Sequence, residues 1–227
     1  MLTIYGLPIS VHTRKVILAA KEKGVAYEIK PVIPFTPPPD WDKLSPTGKI
    51  PVVTDGDLRL CDSSVIFAYL ERTEPYQPLH PADTGDYARA LWLEEFADGT
   101  IFSEVIRGLF FQKVIRPRVL KEGTDQAVVD GILRHAMPKH FGYVESEITG
   151  PYLVGTQFGI ADIAIVSNLI NYHYLGYRLE AARFPKLARY FAALLQRPTI
   201  RDTLAAEHAA ADSMGLDRSF ERELLLA

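Results

Sequence analysis

The first sixteen residues constrain the fold more than any other stretch of this chain. Leu2–Tyr5 is a short apolar run that favours a strand, and Gly6 and Pro8 interrupt it. A helical pattern follows. Its apolar face consists of Val16, Ile17 and Ala20. The pattern predicts a strand, a turn and the start of a helix, with the hydroxyl of Ser10 at the helix start.

A helix N-terminus with hydroxyl groups beside it is suited to binding an anion. The first backbone N–H groups of a helix lack acceptors and carry partial positive charge, which favours an anion such as a thiolate. Ser10 and Thr13 could each donate a hydrogen bond to that anion. The alternative is that Ser10 serves only as the N-cap, a common use of serine.

The following residues predict a small α/β layer. Gly24 ends the first helix and 27–32 is a second strand, so the unit should have parallel strands and a right-handed crossover. A hairpin is predicted from 52–54 and 58–61, and a capped helix begins at Asp62. The predicted order is β-α-β-β-β-α, with one mixed four-stranded sheet.

A proline-rich segment divides the chain into two predicted domains. Strand patterns stop after it, so we predict an α/β domain over 1–75, a linker over 76–84 and an all-helical domain over 85–227. The first helix of the second domain is expected from Asp86 to Arg116, with Pro117 ending it. Further helices are predicted at 124–148, 159–174, 184–195 and 199–210.

Charge and composition argue against several classes of partner. The 227 residues carry a net charge of −3, which gives no reason to expect a nucleic acid or an anionic membrane. Cys61 is the only cysteine, so no intrachain disulfide is possible. With no evident signal peptide, this favours a cytoplasmic protein. No histidine or cysteine spacing is typical of a metal site, so we expect none.

Three loops of the α/β domain carry groups that fit a peptide-like ligand with two carboxylates and a thiol. Ser10 and Ser63 each follow a strand and open a helix, where ligands of such sheets usually bind. Ser63 suits one carboxylate, Lys49 the other, and the main chain beside Pro51 suits a peptide backbone. The alternative is that Lys49 is solvated, Asp62 is a helix cap and Pro51 lies in a turn.

At these positions the sequence resembles the cytosolic glutathione transferases, over roughly residues 2–208. The matching motifs are Ser10 with Arg14 and Val16, Gly48-Lys49-Ile50-Pro51 with Asp62-Ser63, and Gly159-Ile160-Ala161-Asp162. The stretch S-V-H-T-R-K-V looks most like the phi class. The resemblance implies a thioredoxin-like N-terminal domain, an all-helical C-terminal domain, a homodimer and a cis peptide bond before Pro51.

The resemblance also implies a role for each matching residue. Ser10 would be the catalytic hydroxyl that donates a hydrogen bond to the glutathione sulfur. The main chain of Ile50 would pair with the cysteinyl unit, Lys49 would meet the glycyl carboxylate, and Ser63 with Asp62 would hold the γ-glutamyl end. The implied glutathione-binding residues are therefore Lys49, Ile50, Pro51, Asp62 and Ser63.

Three positions depart from the family pattern. Asp62 stands where the longer Glu is usual, which weakens its implied role. Gly159 stands where Ser or Thr usually caps a helix, although the carboxylate of Asp162 can still reach back to its N–H. His12 stands where a small or sulfur-bearing residue is common, and we interpret it as exposed in the first turn or else as a wall of the electrophile site.

These features predict a glutathione transferase that adds the thiolate to a small apolar electrophile between the domains. Alternatives on the same site are a glutathione-dependent peroxidase or isomerase. A further alternative is a non-catalytic protein that uses the fold for dimerisation or ligand carriage. Candidates for the electrophile site are Phe102, Ile106, Phe110 and Phe111 on the long helix, with Ile9 and His12 from the first loop.

Overall fold

A computed structural model describes the backbone of residues 1–225 and the side chains through residue 223. Its strands are β1 (Leu2–Tyr5), β2 (Tyr27–Lys30), β3 (Val52–Asp55) and β4 (Leu58–Cys61). Its helices are α1 (Val11–Glu22), α2 (Trp41–Leu44), α3 (Ser63–Thr73), α4 (Thr84–Glu95), α5 (Arg107–Phe110), α6 (Gln126–Gly131), α7 (Met137–Glu147), α8 (Ile160–Tyr174), α9 (Pro185–Leu195), α10 (Pro198–Ser213) and α11 (Ser219–Leu225). The π-helical segments are Phe96–Ile106, Phe111–Leu120 and Ile132–Ala136.

The four strands form one mixed sheet in the order β2-β1-β3-β4. β1 runs parallel to β2, with Leu2 opposite Tyr27, and antiparallel to β3, with Tyr5 opposite Val52. β3 and β4 form the predicted hairpin. The thioredoxin-like layer followed by helices is thereby confirmed. The domain boundaries at 75 and 85 stay a prediction, and the final two residues of the predicted second domain lie outside the described residues.

The first long helix does not end before Pro117, so that part of the prediction was wrong. Helical structure runs without a break from Thr84 to Leu120, and Pro117 lies inside its second π-helical segment. In an α-helix the proline ring would clash with the carbonyl four residues earlier; the wider i→i+5 turn moves that carbonyl away. Helical structure ends instead at Lys121, which has a left-handed backbone (φ 59°).

α8 forms the centre of the helical domain, and all its residues are buried. Asp162 accepts hydrogen bonds from the N–H of Gly159 at 2.9 Å, from the N–H of Leu153 at 2.9 Å and from the hydroxyl of Tyr190 at 2.5 Å. The expected reach from Asp162 back to Gly159 is therefore confirmed. No helix in residues 1–225, α8 included, is long and apolar enough to span a membrane.

Close packing against the linker explains the glycine at the start of α8. A Cβ at position 159 would lie 2.6 Å from the carbonyl oxygen of Leu79. The same carbonyl accepts a hydrogen bond from the N–H of Ile160 at 3.0 Å. Ser or Thr at this position would push the linker away, so glycine here allows a backbone contact that a side-chain cap would prevent.

A buried ion pair fixes α1 against the helical domain. Arg14 and Glu207 are both fully buried, and the guanidinium donates to the two carboxylate oxygens of Glu207 at 2.7 Å each. Arg14 also donates to Asn171 Oδ1 at 2.7 Å and to the carbonyl of Ser167 at 2.9 Å. The hydroxyl of Tyr174 donates to Glu207 at 3.0 Å. Five residues from three helices thus hold the first helix in place.

Removing one partner of this pair should strongly destabilise the protein. Glu207→Gln leaves the buried guanidinium of Arg14 without its counter-charge, which we expect to lower the free energy of unfolding by about 3–5 kcal/mol. Urea denaturation measures the difference. The matched control is Arg189→Gln, which removes an exposed arginine and should leave stability nearly unchanged. A loss no larger than that of the control would contradict this assignment.

The buried carboxyl of Asp162 should make stability depend on pH. Burial raises its pKa from 3.8 to about 6, against hydrogen bonds that favour the charged form. The folded protein therefore holds this proton more tightly than the unfolded chain does. The contribution of Asp162 to the free energy of unfolding is full below pH 3.8 and falls by about 3 kcal/mol as the pH rises through about 6.

Comparing the wild type with Asp162→Asn isolates this effect, because Asn does not titrate and the other ionisable groups cancel in the difference. Urea denaturation of both proteins between pH 4 and 8 should show the stability of the wild type falling relative to that of the variant. A difference that does not change with pH would show that the carboxyl of Asp162 keeps the same pKa in both states.

Candidate functional site

The turn between β1 and α1 presents Ser10 at the N-terminus of α1. Ile9 and Val11, on either side of it, are buried, which fixes the turn. Ser10 is the N-cap residue, with an extended backbone (φ −71°, ψ 131°), and its carbonyl accepts from the N–H of Arg14 at 2.8 Å. Its half-buried hydroxyl makes no capping hydrogen bond. The hydroxyl and the first N–H groups of α1 are therefore available to an anion.

Thr13 does not share this position. Its side chain is fully buried and packs against Gly6, where a Cβ would lie 2.5 Å from the threonine hydroxyl oxygen. The expectation that Thr13 could donate a hydrogen bond to a bound anion is therefore wrong. Because the side chain of Thr13 is buried under the turn, the accessible hydroxyl at this helix start is that of Ser10.

The loop before β3 presents a main chain with unused hydrogen-bonding groups. The bond between Ile50 and Pro51 is cis, as expected. The loop is held by its own contacts, since Ser45 donates to the carbonyl of Lys49 at 2.7 Å and Trp41 donates to that of Gly48 at 3.2 Å. The main chain of Ile50 makes no hydrogen bond within the described part of the chain, so it can pair with an extended peptide. The side chain of Lys49 is exposed.

At the start of α3, Asp62 acts as a helix cap. Its Oδ1 accepts from the N–H of Ser64 at 2.9 Å and from that of Val65 at 3.3 Å. Asp62 has φ 78°, a conformation that is strained for a residue with a side chain and is often found where a ligand is held. Ser63 is buried, and its hydroxyl makes no hydrogen bond to the residues that the structure describes.

His12 links these loops to the long helix. Burial lowers its pKa, and the charges of Asp98, Lys15, Asp62 and Lys49 also act on the imidazole. The side chain is 23 % exposed and its Nδ1 lies 3.7 Å from Asp98. The interpretation of His12 as an exposed residue was therefore wrong, because the long helix covers one side of it.

The other candidates for the electrophile site separate into three groups. Phe102 packs edge-on against His12, with ring centroids 4.5 Å apart, and so lies beside the candidate site. Ile9 and Ile106 are buried core residues and are not free to contact a ligand. Phe110 packs partly against the core and Phe111 is exposed. The structure thus brings only Phe102 and His12 together.

Sequence reasoning missed a charged cluster beneath the site. The ammonium group of Lys15 donates to Asp98 at 2.6 Å, to Ser64 at 2.9 Å and to Glu94. Burial alone would lower the pKa of Lys15, but the two carboxylates outweigh it and raise the pKa. A lysine among the apolar residues of α1 was the available signal, but its partners lie 79 and 83 residues away in sequence.

Comparison with known families agrees with this geometry. Residues 4–78 match the family described as glutathione S-transferase, N-terminal domain. Residues 110–207 match the family described as glutathione S-transferase, C-terminal domain. The first match contains Ser10, Lys49, Ile50, Pro51, Asp62 and Ser63, and the second contains α8.

The similar proteins include some named as glutathione S-transferases and one named for its localisation with FtsZ. Glutathione S-transferase 3 of Zea mays is 31 % identical over 215 residues, which are 90 % of this chain and 94 % of that protein. FtsZ-localized protein A of Caulobacter vibrioides is 28 % identical over 208 residues, 89 % and 90 % of the two chains. A solved glutathione S-transferase-I bound with lactoylglutathione is 26 % identical, with a TM-score of 0.78 over 90 % of this chain and 98 % of that one.

Proposed function

Because this chain belongs to the glutathione S-transferase family, we propose that it binds reduced glutathione and adds its sulfur to an electrophile. The observation that carries the proposal is the hydroxyl of Ser10. It stands at the N-terminus of α1, reachable from solvent, and caps nothing. Serine in a merely structural N-cap would use that hydroxyl on the helix, so its freedom favours a role toward a ligand.

The proposed glutathione-binding site is formed by all three loops. Ser63 and the N-terminus of α3 bind the γ-glutamyl carboxylate, and the Asp62 oxygen that does not cap α3 accepts from the γ-glutamyl ammonium. The main chain of Ile50 pairs with the cysteinyl unit. Lys49 binds the glycyl carboxylate. The strained backbone of Asp62 supports a ligand-holding role at this end of the sheet.

The available interactions are large enough to ionise the thiol. A cysteine thiol has a pKa of about 8.5, and lowering it by about 2 requires ~2.7 kcal/mol of preference for the thiolate. One charge-assisted hydrogen bond from Ser10 supplies ~1.5–3 kcal/mol and a helix N-terminus supplies up to ~2 kcal/mol. The two together cover the requirement without a metal ion or a further cationic residue.

Replacing Ser10 should reduce both thiolate formation and turnover. For Ser10→Ala we expect kcat/KM with glutathione and an aryl chloride to fall ~10–100-fold, the equivalent of one charge-assisted hydrogen bond. Calorimetry with reduced glutathione and the thiolate band in ultraviolet difference spectra show whether binding or ionisation is lost. Ser146→Ala, an exposed serine of α7, is the control. A thiolate band unchanged in Ser10→Ala would move the role to the helix terminus alone.

A non-catalytic role is the second candidate, and the relative named FtsZ-localized protein A is the observation that favours it. A protein that uses the fold only for assembly has no need to bind glutathione. The calorimetric titration separates the two candidates, since absence of glutathione binding by the wild type would reject the transferase proposal.

The free Ser10 hydroxyl, the unpaired Ile50 main chain and the unpaired Ser63 hydroxyl together support the transferase. A cytoplasmic location, where thiols are kept reduced, suits it.

We also propose that the protein is a homodimer in which α3 and β4 of one copy meet α4 of the other. Large apolar side chains are exposed on these elements, and a two-fold contact between copies would cover them. They are Leu58, Val65, Tyr87 and Trp92, exposed by 41 %, 49 %, 42 % and 54 %.

Light scattering after size exclusion should give twice the 25.4 kDa mass of the monomer. Trp92→Lys should shift the protein to the monomer mass, because it places a charge in the apolar contact. Val128→Lys changes an exposed apolar residue of α6 and is the control. A wild-type protein that elutes at the monomer mass across the concentration range would reject the proposal.

A further inference from the structure

We propose that His12, oriented by Asp98, carries the proton in the transferase reaction, and that the preferred electrophile is one whose oxygen becomes an anion on attack, such as an epoxide. The inference rests on the proposed transferase function and deepens it. It assigns a second catalytic residue beside Ser10 and a chemical class to the substrate.

Asp98 has one carboxylate oxygen without a partner among the described residues. Asp98 holds Lys15 through Oδ2 at 2.6 Å, while its Oδ1 is buried and has no hydrogen-bond partner in the described part of the chain. A buried polar atom without a hydrogen-bond partner lowers the stability of the folded state, so the presence of one here needs a physical explanation. Nδ1 of His12 lies 3.7 Å from this oxygen.

The carboxylate of Asp98 faces one side of the His12 imidazole. A carboxylate facing Nδ1 favours the proton on Nδ1, which leaves the lone pair on Nε2. Nε2 makes no hydrogen bond within residues 1–223, and the ring retains 23 % exposure. The Asp98–His12 pair therefore presents a proton acceptor toward solvent, and Asp98 stabilises the imidazolium once the proton arrives.

His12 lies where the first turn of α1 meets the long helix. It lies in the first turn of α1, two residues after Ser10, and the charges of Lys49 and Asp62 act on it. On its other side the ring edge meets Phe102, which comes from the long helix of the other half of the chain. An imidazole at this boundary can exchange a proton with the thiol and with an electrophile seated against Phe102.

The proposed reaction balances without a further reagent. Nε2 of His12 accepts the proton of the glutathione thiol as the sulfur settles at the α1 N-terminus. The thiolate electron pair forms a sulfur–carbon bond to one carbon of the epoxide, the carbon–oxygen bond breaks, and its electron pair goes to the oxygen. The imidazolium then returns the proton to that oxygen, giving an alcohol thioether and a neutral His12.

The proposed substrate class depends on whether the group that leaves carbon during the reaction needs a proton. An aryl chloride releases chloride, which leaves without protonation, so His12 contributes nothing to its departure. The alkoxide from an epoxide is strongly basic, and a positioned proton donor typically contributes ~10²–10⁴-fold to such a step. The return of the proton from His12 thus helps only with electrophiles that generate an oxyanion.

The test compares styrene oxide with chlorodinitrobenzene as electrophiles for wild-type protein and His12→Gln. We expect the ratio of kcat for the epoxide to kcat for the aryl chloride to fall ~100-fold in the variant. Asp98→Asn, checked for folding by circular dichroism, should lower the same ratio in the same direction. His135→Gln, an exposed histidine of the helical half, should leave the ratio unchanged.

A second measurement counts protons. Calorimetric titration with glutathione, in buffers of different ionisation enthalpy, should show fewer protons released to solvent by the wild type than by His12→Gln, because His12 takes up the thiol proton. An equal loss of kcat for both electrophiles, or an equal proton count, would overturn the role of His12. Wild-type turnover of the aryl chloride but not the epoxide would overturn the substrate class. Failure to bind glutathione would instead reject the transferase function.

Discussion

The buried pair between Arg14 and Glu207 fixes the geometry on which the candidate site depends. A guanidinium in the protein interior is tolerated only when its charge and its donors are matched, and here carboxylate, amide and carbonyl oxygens all accept from it. Because this network joins α1 to α8 and α10, it sets where the N-terminus of α1 points. Ser10 lies one turn away from Arg14, so its position follows from an ion pair that never contacts a ligand.

α1 is secured by one further cation within it and another just after its C-terminal end. Lys15 joins it to the long helix through Asp98, and Lys23 joins it to α3 through Glu71 at 2.6 Å. Hydrogen bonds from neighbouring groups hold the pKa of Glu71 at about 2, against the effect of burial, so this contact stays charged at neutral pH. The proposed stabilisation of a thiolate needs a helix terminus fixed in position, and these contacts hold α1 without occupying its N-terminus.

The local patterns predicted a large part of the fold. The parallel β1–β2 unit, the hairpin and the bond from Asp162 to the N–H of Gly159 all arise between residues that are near in sequence, and all three are found. The prediction that Pro117 ends the long helix was wrong. It assumed an α-helix, which proline interrupts, whereas the chain adopts a wider helical turn around Pro117. His12 was misjudged because the side of α1 that carries it is covered by a helix from the other half of the chain.

The sequence by itself determined which chemical groups stand at the ends of the strands: a hydroxyl at Ser10, a proline loop at 49–51 and a capped helix at Asp62. Only the tertiary structure decided which of them are accessible. It buries Thr13 while leaving Ser10 free, and it turns the carboxylate of Asp98 toward His12. The physical reason is the separation of the partners. Local periodicity specifies neighbours within a few residues, whereas the contacts that set burial and charge here, such as Arg14 with Glu207, join residues 193 positions apart and exist only once the domains pack.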